Sequence, residues 1–239
     1  MKSKESVKAV IRQYPGRFSV ELGIDLASGR GPEVFKWFLA SVLFGARISG
    51  TIVNKTLRAF LSRGVVSPRI VLETGWDGLV EILDQGGYVR YDFKTATKLL
   101  DLSRALTENY RADLAALHRA ASSPDDLGQR LKSLAKGIGD VTVNIFLREM
   151  RGVWEKADPL PSDLAVSAAK ELGFVPGAMK DGRKILGLLI KTWQRAGMKK
   201  QDFPDFEAAL VRAGIEIRRG KGTCMAMESR KTHRKKTKD

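Results

Sequence analysis

The chain has 239 residues, 43% of them hydrophobic and 29% charged, enough to bury a core as one domain or as two packed lobes. Lys and Arg total 42 against 27 Asp and Glu, a formal charge of +15 that favours a polyanionic partner, nucleic acid first and an acidic membrane surface second. Cys224 is the only cysteine and His118 and His233 the only histidines, which excludes an intrachain disulfide and the cysteine sets of structural zinc and iron–sulfur sites, and leaves little for a His-rich metal site.

No apolar run approaches the roughly 18 to 20 residues that span a bilayer, and Met1 to Ser6 lead into a polar helix without the apolar centre of a signal peptide. A cytoplasmic, nucleoid-associated location is expected. Helical periodicity dominates, and no run alternates convincingly as a strand. A short helix over Val7–Gln13 is broken by Tyr14-Pro15-Gly16. Pro32 and Glu33 open the next, where Val34, Phe35, Phe38, Leu39, Val42 and Leu43 recur at spacings of three and four and predict one buried face.

After a small, polar break at 45–50, a second amphipathic helix carries Ile52, Val53, Leu57, Phe60 and Leu61. Ser67-Pro68 starts another that ends before Gly75, and Trp76–Leu83 continues its pattern. Gly86-Gly87-Tyr88 is a tight turn, Phe93–Leu106 a helix, and Ser123-Pro124-Asp125-Asp126 the cap and first turn of a helix running towards Lys136. Later helices are expected over Leu164–Leu172, Arg183–Ala196 and Asp205–Ala213. From Arg218 to Asp239 nine Lys or Arg stand against two acids with few apolar residues, a composition that predicts a basic, disordered arm.

The stretch from Leu134 to Asp163 carries the chemistry. A helix ending at Lys136, the turn Gly137-Ile138-Gly139 and a new helix from about Asp140 make a helix-hairpin-helix. Its glycines leave no side chain between backbone and ligand, and the free amides of the turn and of the following helix suit a phosphate oxygen, with Ile138 packed inward. Taken alone, the same pattern also serves as a plain connection between helices. Asp163, after Pro161-Ser162, stands at the start of another helix, where a carboxylate is either a simple capping acid or an ion held charged by the helix terminus.

Leu134 to Leu147 is similar to the Leu-x-Gly-[Val/Ile]-Gly-x-x-Thr-Ala-Asn pattern of the helix-hairpin-helix, Gly/Pro-rich, aspartate superfamily of base-excision DNA glycosylases, typified by endonuclease III, with Val143 in place of the alanine. Val42–Lys55 resembles that family's Leu-Leu-Ser-x-Gln-x-x-Asp-x-x-Val-Asn-Lys segment, and Gly87-Tyr88 with Lys94-Thr95-Ala96 its Gly-[Leu/Phe]-Tyr...Lys-Ala segment. Leu160–Val166 looks closest to the Pro-x-Asp-Leu-x-Val form of alkylpurine glycosylases. The resemblance spans roughly Val34 to Phe174.

That resemblance implies an all-α, two-lobed fold: a central lobe over 31–155 holding the hairpin, a second lobe from 1–30 and 156–217, and the basic tail 218–239. It implies Asp163 as the catalytic carboxylate and Gly137, Ile138, Gly139, Val141 and Thr142 as the phosphate-binding hairpin. Arg47 would fill the gap left by the extruded base, and Tyr88 would be the wedge in the opposite stack; a surface arginine and a half-buried turn tyrosine are the plain alternatives. Trp37 and Trp154 are candidates for the base pocket, although a tryptophan on a helical pattern is more often core. Family members that also cut the strand use a lysine where this chain has Val141, which cannot form a Schiff base, so a monofunctional enzyme is implied, with a lyase or a non-catalytic DNA-binding protein as alternatives. The expected partner is double-stranded DNA containing a damaged base, bound by a monomer. No cofactor is expected beyond a monovalent cation at the hairpin, and no iron–sulfur cluster.

Overall fold

Serine caps and first-turn prolines start half of the α-helices among the described residues. The computed structural model describes residues 4–46 and 48–220, and among these the chain is all-helical, with a single isolated bridge, Arg151 to Trp154, in place of any strand. Ser49, Ser67, Ser123 and Ser162 each accept a backbone N–H three residues on, at 3.1 to 3.4 Å. A cap of this kind contributes about 1 kcal/mol. Arg47 and the basic tail beyond Gly220 lie outside the described residues.

The chain divides into two compact units, one of residues 19–159 and one combining residues up to Phe18 with those from Leu160 onward. The boundaries differ from 31 and 155 for local reasons. The buried Glu149 carboxylate accepts the Ser19 N–H at 2.9 Å, and Glu33 accepts the Asp25 N–H at 3.0 Å, which ties residues 19–30 to the larger unit. At the other end, Arg151 donates to Asp158 at 2.6 Å and to the Pro159 carbonyl at 2.7 Å.

The larger unit is built around α3, Gly31–Phe44, which follows α1 (Lys4–Gln13) and the single turn α2 (Phe18–Glu21) in the chain. The periodicity of α3 predicts one buried face, yet nearly all of the helix from Glu33 to Leu43 is buried. The reason is tertiary: α4 (Gly50–Ser62), α7 (Leu114–Ala120) and α9 (Asp140–Met150) all pack against it. Phe38 and Phe146 meet edge to face at 5.0 Å, and each fully buried side chain of this kind contributes roughly 2 to 3 kcal/mol.

Outside that core lie α5 (Pro68–Gln85) and α6 (Asp92–Tyr110), packed along one another, with α8 (Pro124–Ser133) leading to the hairpin. Gly75, with φ 69° and ψ 176°, kinks α5 at the point where the sequence predicts a break. The sequence reading passes over α7, which is short and capped by Asp113: its carboxylate accepts the N–H groups of Ala115 and Ala116.

In the smaller unit α10 (Asp163–Glu171) packs closely on α12 (Phe203–Arg218), with α1 and α11 (Gly182–Arg195) completing the core. Trp193 stacks on Phe206 at 5.8 Å, and Arg17 grips Asp205 through two parallel hydrogen bonds of 3.0 and 3.1 Å. No helix among the described residues is long and apolar enough to cross a membrane.

Candidate nucleic-acid interface

The hairpin forms as the glycine spacing predicts, with one adjustment. Helix α8 ends at Ser133 rather than Lys136, and Leu134 and Ala135 turn inward to be buried with Ile138. Gly137 takes φ +91°, a conformation that L side chains rarely adopt, while Gly139 is extended and stands as the N-cap of α9. Lys136, Gly137, Gly139, Asp140 and Val141 are exposed around the single buried anchor, Ile138. Glycine supplies no capping side chain, so the first amides of α9 keep their donors unengaged by a cap. That is the geometry of an anion-binding turn.

Thr142 behaves differently from its expected role. It is buried, and a β-carbon on Gly45 would lie 2.1 Å from its Oγ1, so its side chain packs the start of α9 against the end of α3. Only its backbone N–H remains for a phosphate. Gly45 has an ordinary φ of −65°, so closeness and not backbone freedom requires the glycine. Gly45→Ala is expected to lower stability by about 1 to 3 kcal/mol, and Thr142→Ala in the same chain to recover part of the loss. Urea unfolding of both single variants and the double variant measures this coupling.

Tyr88 is a correction. The wedge role requires a ring that can enter a base stack, but Tyr88 is fully buried and its phenol donates a hydrogen bond to the Leu43 carbonyl at 2.9 Å. It pins the turn between α5 and α6 to the end of α3. Burial pushes the phenol from 10.0 up to about 12, with a hydrogen bond to the Thr95 side chain pulling the other way. The folded protein therefore keeps a proton that the unfolded chain loses, so this group's contribution is complete below about pH 10 and is lost as pH rises through about 12. Tyr88→Phe should lower stability by about 1 kcal/mol at neutral pH and remove this alkaline decline. Chemical denaturation from pH 7 to 12 reads both effects.

The exposed apolar group of that turn is its neighbour. Val89 is 62% exposed and Phe93, in the first turn of α6, 57% exposed, neither of which the sequence reading singles out.

Trp37 and Trp154 are also corrected. Trp37 is fully buried and donates its indole N–H to the Phe146 carbonyl at 3.1 Å. Trp154 is buried, stacked on His118 at 4.8 Å and edge-on to Phe146 at 5.3 Å. Both rings are already enclosed by protein atoms. Burial and the nearby Lys156 lower the pKa of His118, whose Nε2 accepts the Lys156 backbone N–H.

No protein-family model matches this chain, and a comparison with curated proteins finds no match.

The three connections nearest the end of α3 are thus held together: the α3–α4 loop through Gly45 and Thr142, the α5–α6 turn through Tyr88 and Leu43, and the hairpin through α9. Arg47 belongs to the first of these loops but lies outside the described residues. A further contact was not legible in the sequence. A β-carbon on Gly137 would lie 3.1 Å from Lys98 Cε and 3.4 Å from its Nζ, which sets an α6 ammonium beside the hairpin. Burial lowers the pKa of Lys98.

Asp163 belongs to the other unit. Ser162 does the capping of α10, its Oγ accepting the Ala165 N–H, so Asp163 is the first helical residue and its carboxylate has no capping duty. It is exposed, and among the described residues no hydrogen bond or ion pair engages it. Such a carboxylate is free to orient a water or face a developing cation. No group of three or more potential metal ligands occurs among the described residues.

Proposed function

We propose that this protein is a monofunctional base-excision DNA glycosylase that hydrolyses the N-glycosidic bond of a damaged base, an alkylated purine first, in duplex DNA. The observation that carries the reading is the hairpin, where exposed Gly137 and Gly139 flank buried Ile138 and open onto an uncapped helix start. The hairpin amides grip one backbone phosphate, and the excess of basic residues holds the duplex. Val89 takes the wedge position assigned from sequence to Tyr88, since apolar wedges unstack a base step and allow a nucleotide to rotate out.

Asp163 then acts on the extruded sugar. As the base departs with the glycosidic electron pair, positive charge grows on the sugar and the carboxylate stabilises it. A water adds its oxygen to C1′ and gives up a proton, leaving an abasic site. Val141 is 63% exposed and cannot form the Schiff base that strand cleavage would need from this position, so the expected product is an intact strand with an abasic site.

The test is a panel of duplexes carrying alkylated purines, uracil, hypoxanthine or oxidised guanine, scored separately for free base, abasic sites and strand breaks. Release of base without breaks is the expected result. A borohydride-trapped protein–DNA adduct would instead establish lyase chemistry. A binding-only reading needs the hairpin and the basic residues but not Asp163. Tight, salt-sensitive duplex binding with no base released would establish it.

A further inference from the structure

Lys98 sits in the second turn of α6, on the margin of the face that buries Thr95, Ala96, Leu99 and Leu102. Its stem lies along the core margin, and its ammonium emerges beside Gly137. Half-buried lysines normally recover lost hydration from a carboxylate or carbonyl. Among the described residues Lys98 has neither a hydrogen bond nor an ion pair. The one acid of the hairpin, Asp140, is taken by Lys132 at 3.0 Å. Gly137 keeps the ammonium uncovered, because a side chain there would press on Lys98 Cε and Nζ.

A desolvated cation held without a counter-charge works against the stability of the free protein. Its place is explained if an anion completes it. We propose that Lys98 is a phosphate-binding residue, its ammonium joining the hairpin amides on the same DNA backbone phosphate. This rests on the nucleic-acid reading of the hairpin and adds a charge to what is otherwise a clamp of neutral amides. Within it, Gly137 has two tasks, supplying the left-handed turn and leaving the lysine open.

The experiment measures binding of an undamaged duplex across a salt series for the wild type, Lys98→Met and Lys98→Arg, together with the thermal stability of each. Removing one phosphate contact should reduce the slope of log affinity against log salt by about 0.9 and weaken binding roughly tenfold. Lys98→Arg should keep most of both. Lys98→Met should be as stable as the wild type or more so, because an unpaired desolvated charge is gone. A structural lysine would give the opposite, a lower melting temperature with an unchanged salt slope, and that result overturns the proposal. So does a borohydride adduct that Lys98→Met abolishes, which would make the amine a nucleophile. If Lys98→Met loses its slope while no lesion is excised by the wild type, the catalytic reading fails and the Lys98 assignment stands. If the wild type shows no salt-dependent duplex binding, both fail together.

Discussion

Asp163→Asn is expected to abolish base release while leaving the protein folded and able to bind duplex DNA. On the proposed mechanism the substitution removes the negative charge facing the sugar cation and the carboxylate that accepts a proton from water, and groups with such roles contribute about 100- to 10,000-fold. Stability should change by no more than about 0.5 kcal/mol. The reason is local: Asp163 is exposed, its carboxylate is engaged by no described neighbour, and Ser162 supplies the cap of α10. Single-turnover base release, duplex affinity and thermal unfolding should therefore separate cleanly, with only the first falling. A variant that excises bases at the wild-type rate removes Asp163 from the mechanism. One that unfolds shows the acid to be structural.

Gly214→Ala is the substitution expected to do the most structural damage. A helix interior normally gains about 1 kcal/mol when alanine replaces glycine. Here a β-carbon would lie 2.2 Å from the Leu164 carbonyl oxygen and 2.7 Å from its carbonyl carbon, both backbone atoms of α10. Backbone cannot rotate away as a side chain can, so α10 must move off α12, at a cost of about 3 kcal/mol or more. The clash outweighs the propensity gain. Because Leu164 follows Asp163 directly, the same displacement moves the carboxylate proposed as catalytic, and on that proposal an error of about 1 Å lowers the rate about a hundredfold. Gly187 in α11 has no atom within 4 Å of its added β-carbon and serves as the control. Gly187→Ala should raise stability by about 0.5 to 1 kcal/mol under the same urea titration. Equal effects at the two positions would show that α10 and α12 are not packed backbone to backbone.

The hairpin illustrates how far local rules reach. Gly137 and Gly139 around an apolar residue dictate an exposed turn on a buried anchor, and Ile138 is that anchor. Ser162 and Asp163 likewise mark a helix start from two adjacent residue types, and only the division of labour between them needed coordinates. Tyr88 is buried rather than exposed as the wedge role requires, and aromatic character says nothing about which way a ring points. Tyr88 and Val89 are neighbours on a turn whose direction is set by the Leu43 carbonyl, forty-five positions away in the chain. For Trp37 and Trp154 the sequence left core and base pocket both open, and the rings are core, enclosed by Phe146 and His118 from other helices.

What the sequence by itself determined is the part governed by short-range physics: an all-helical chain, the sites of its caps, the kink at Gly75, the glycine hairpin and a strong positive charge. Periodicity, φ preferences and side-chain capping act within about a turn of helix, so they are written in consecutive residues. The tertiary structure alone decided which polar groups stand open and which are consumed. Lys98 beside Gly137, Gly45 against Thr142 and Gly214 against Leu164 are contacts between distant segments, at distances where a single β-carbon changes the outcome. No local pattern encodes such approaches, because they depend on how whole helices settle against one another.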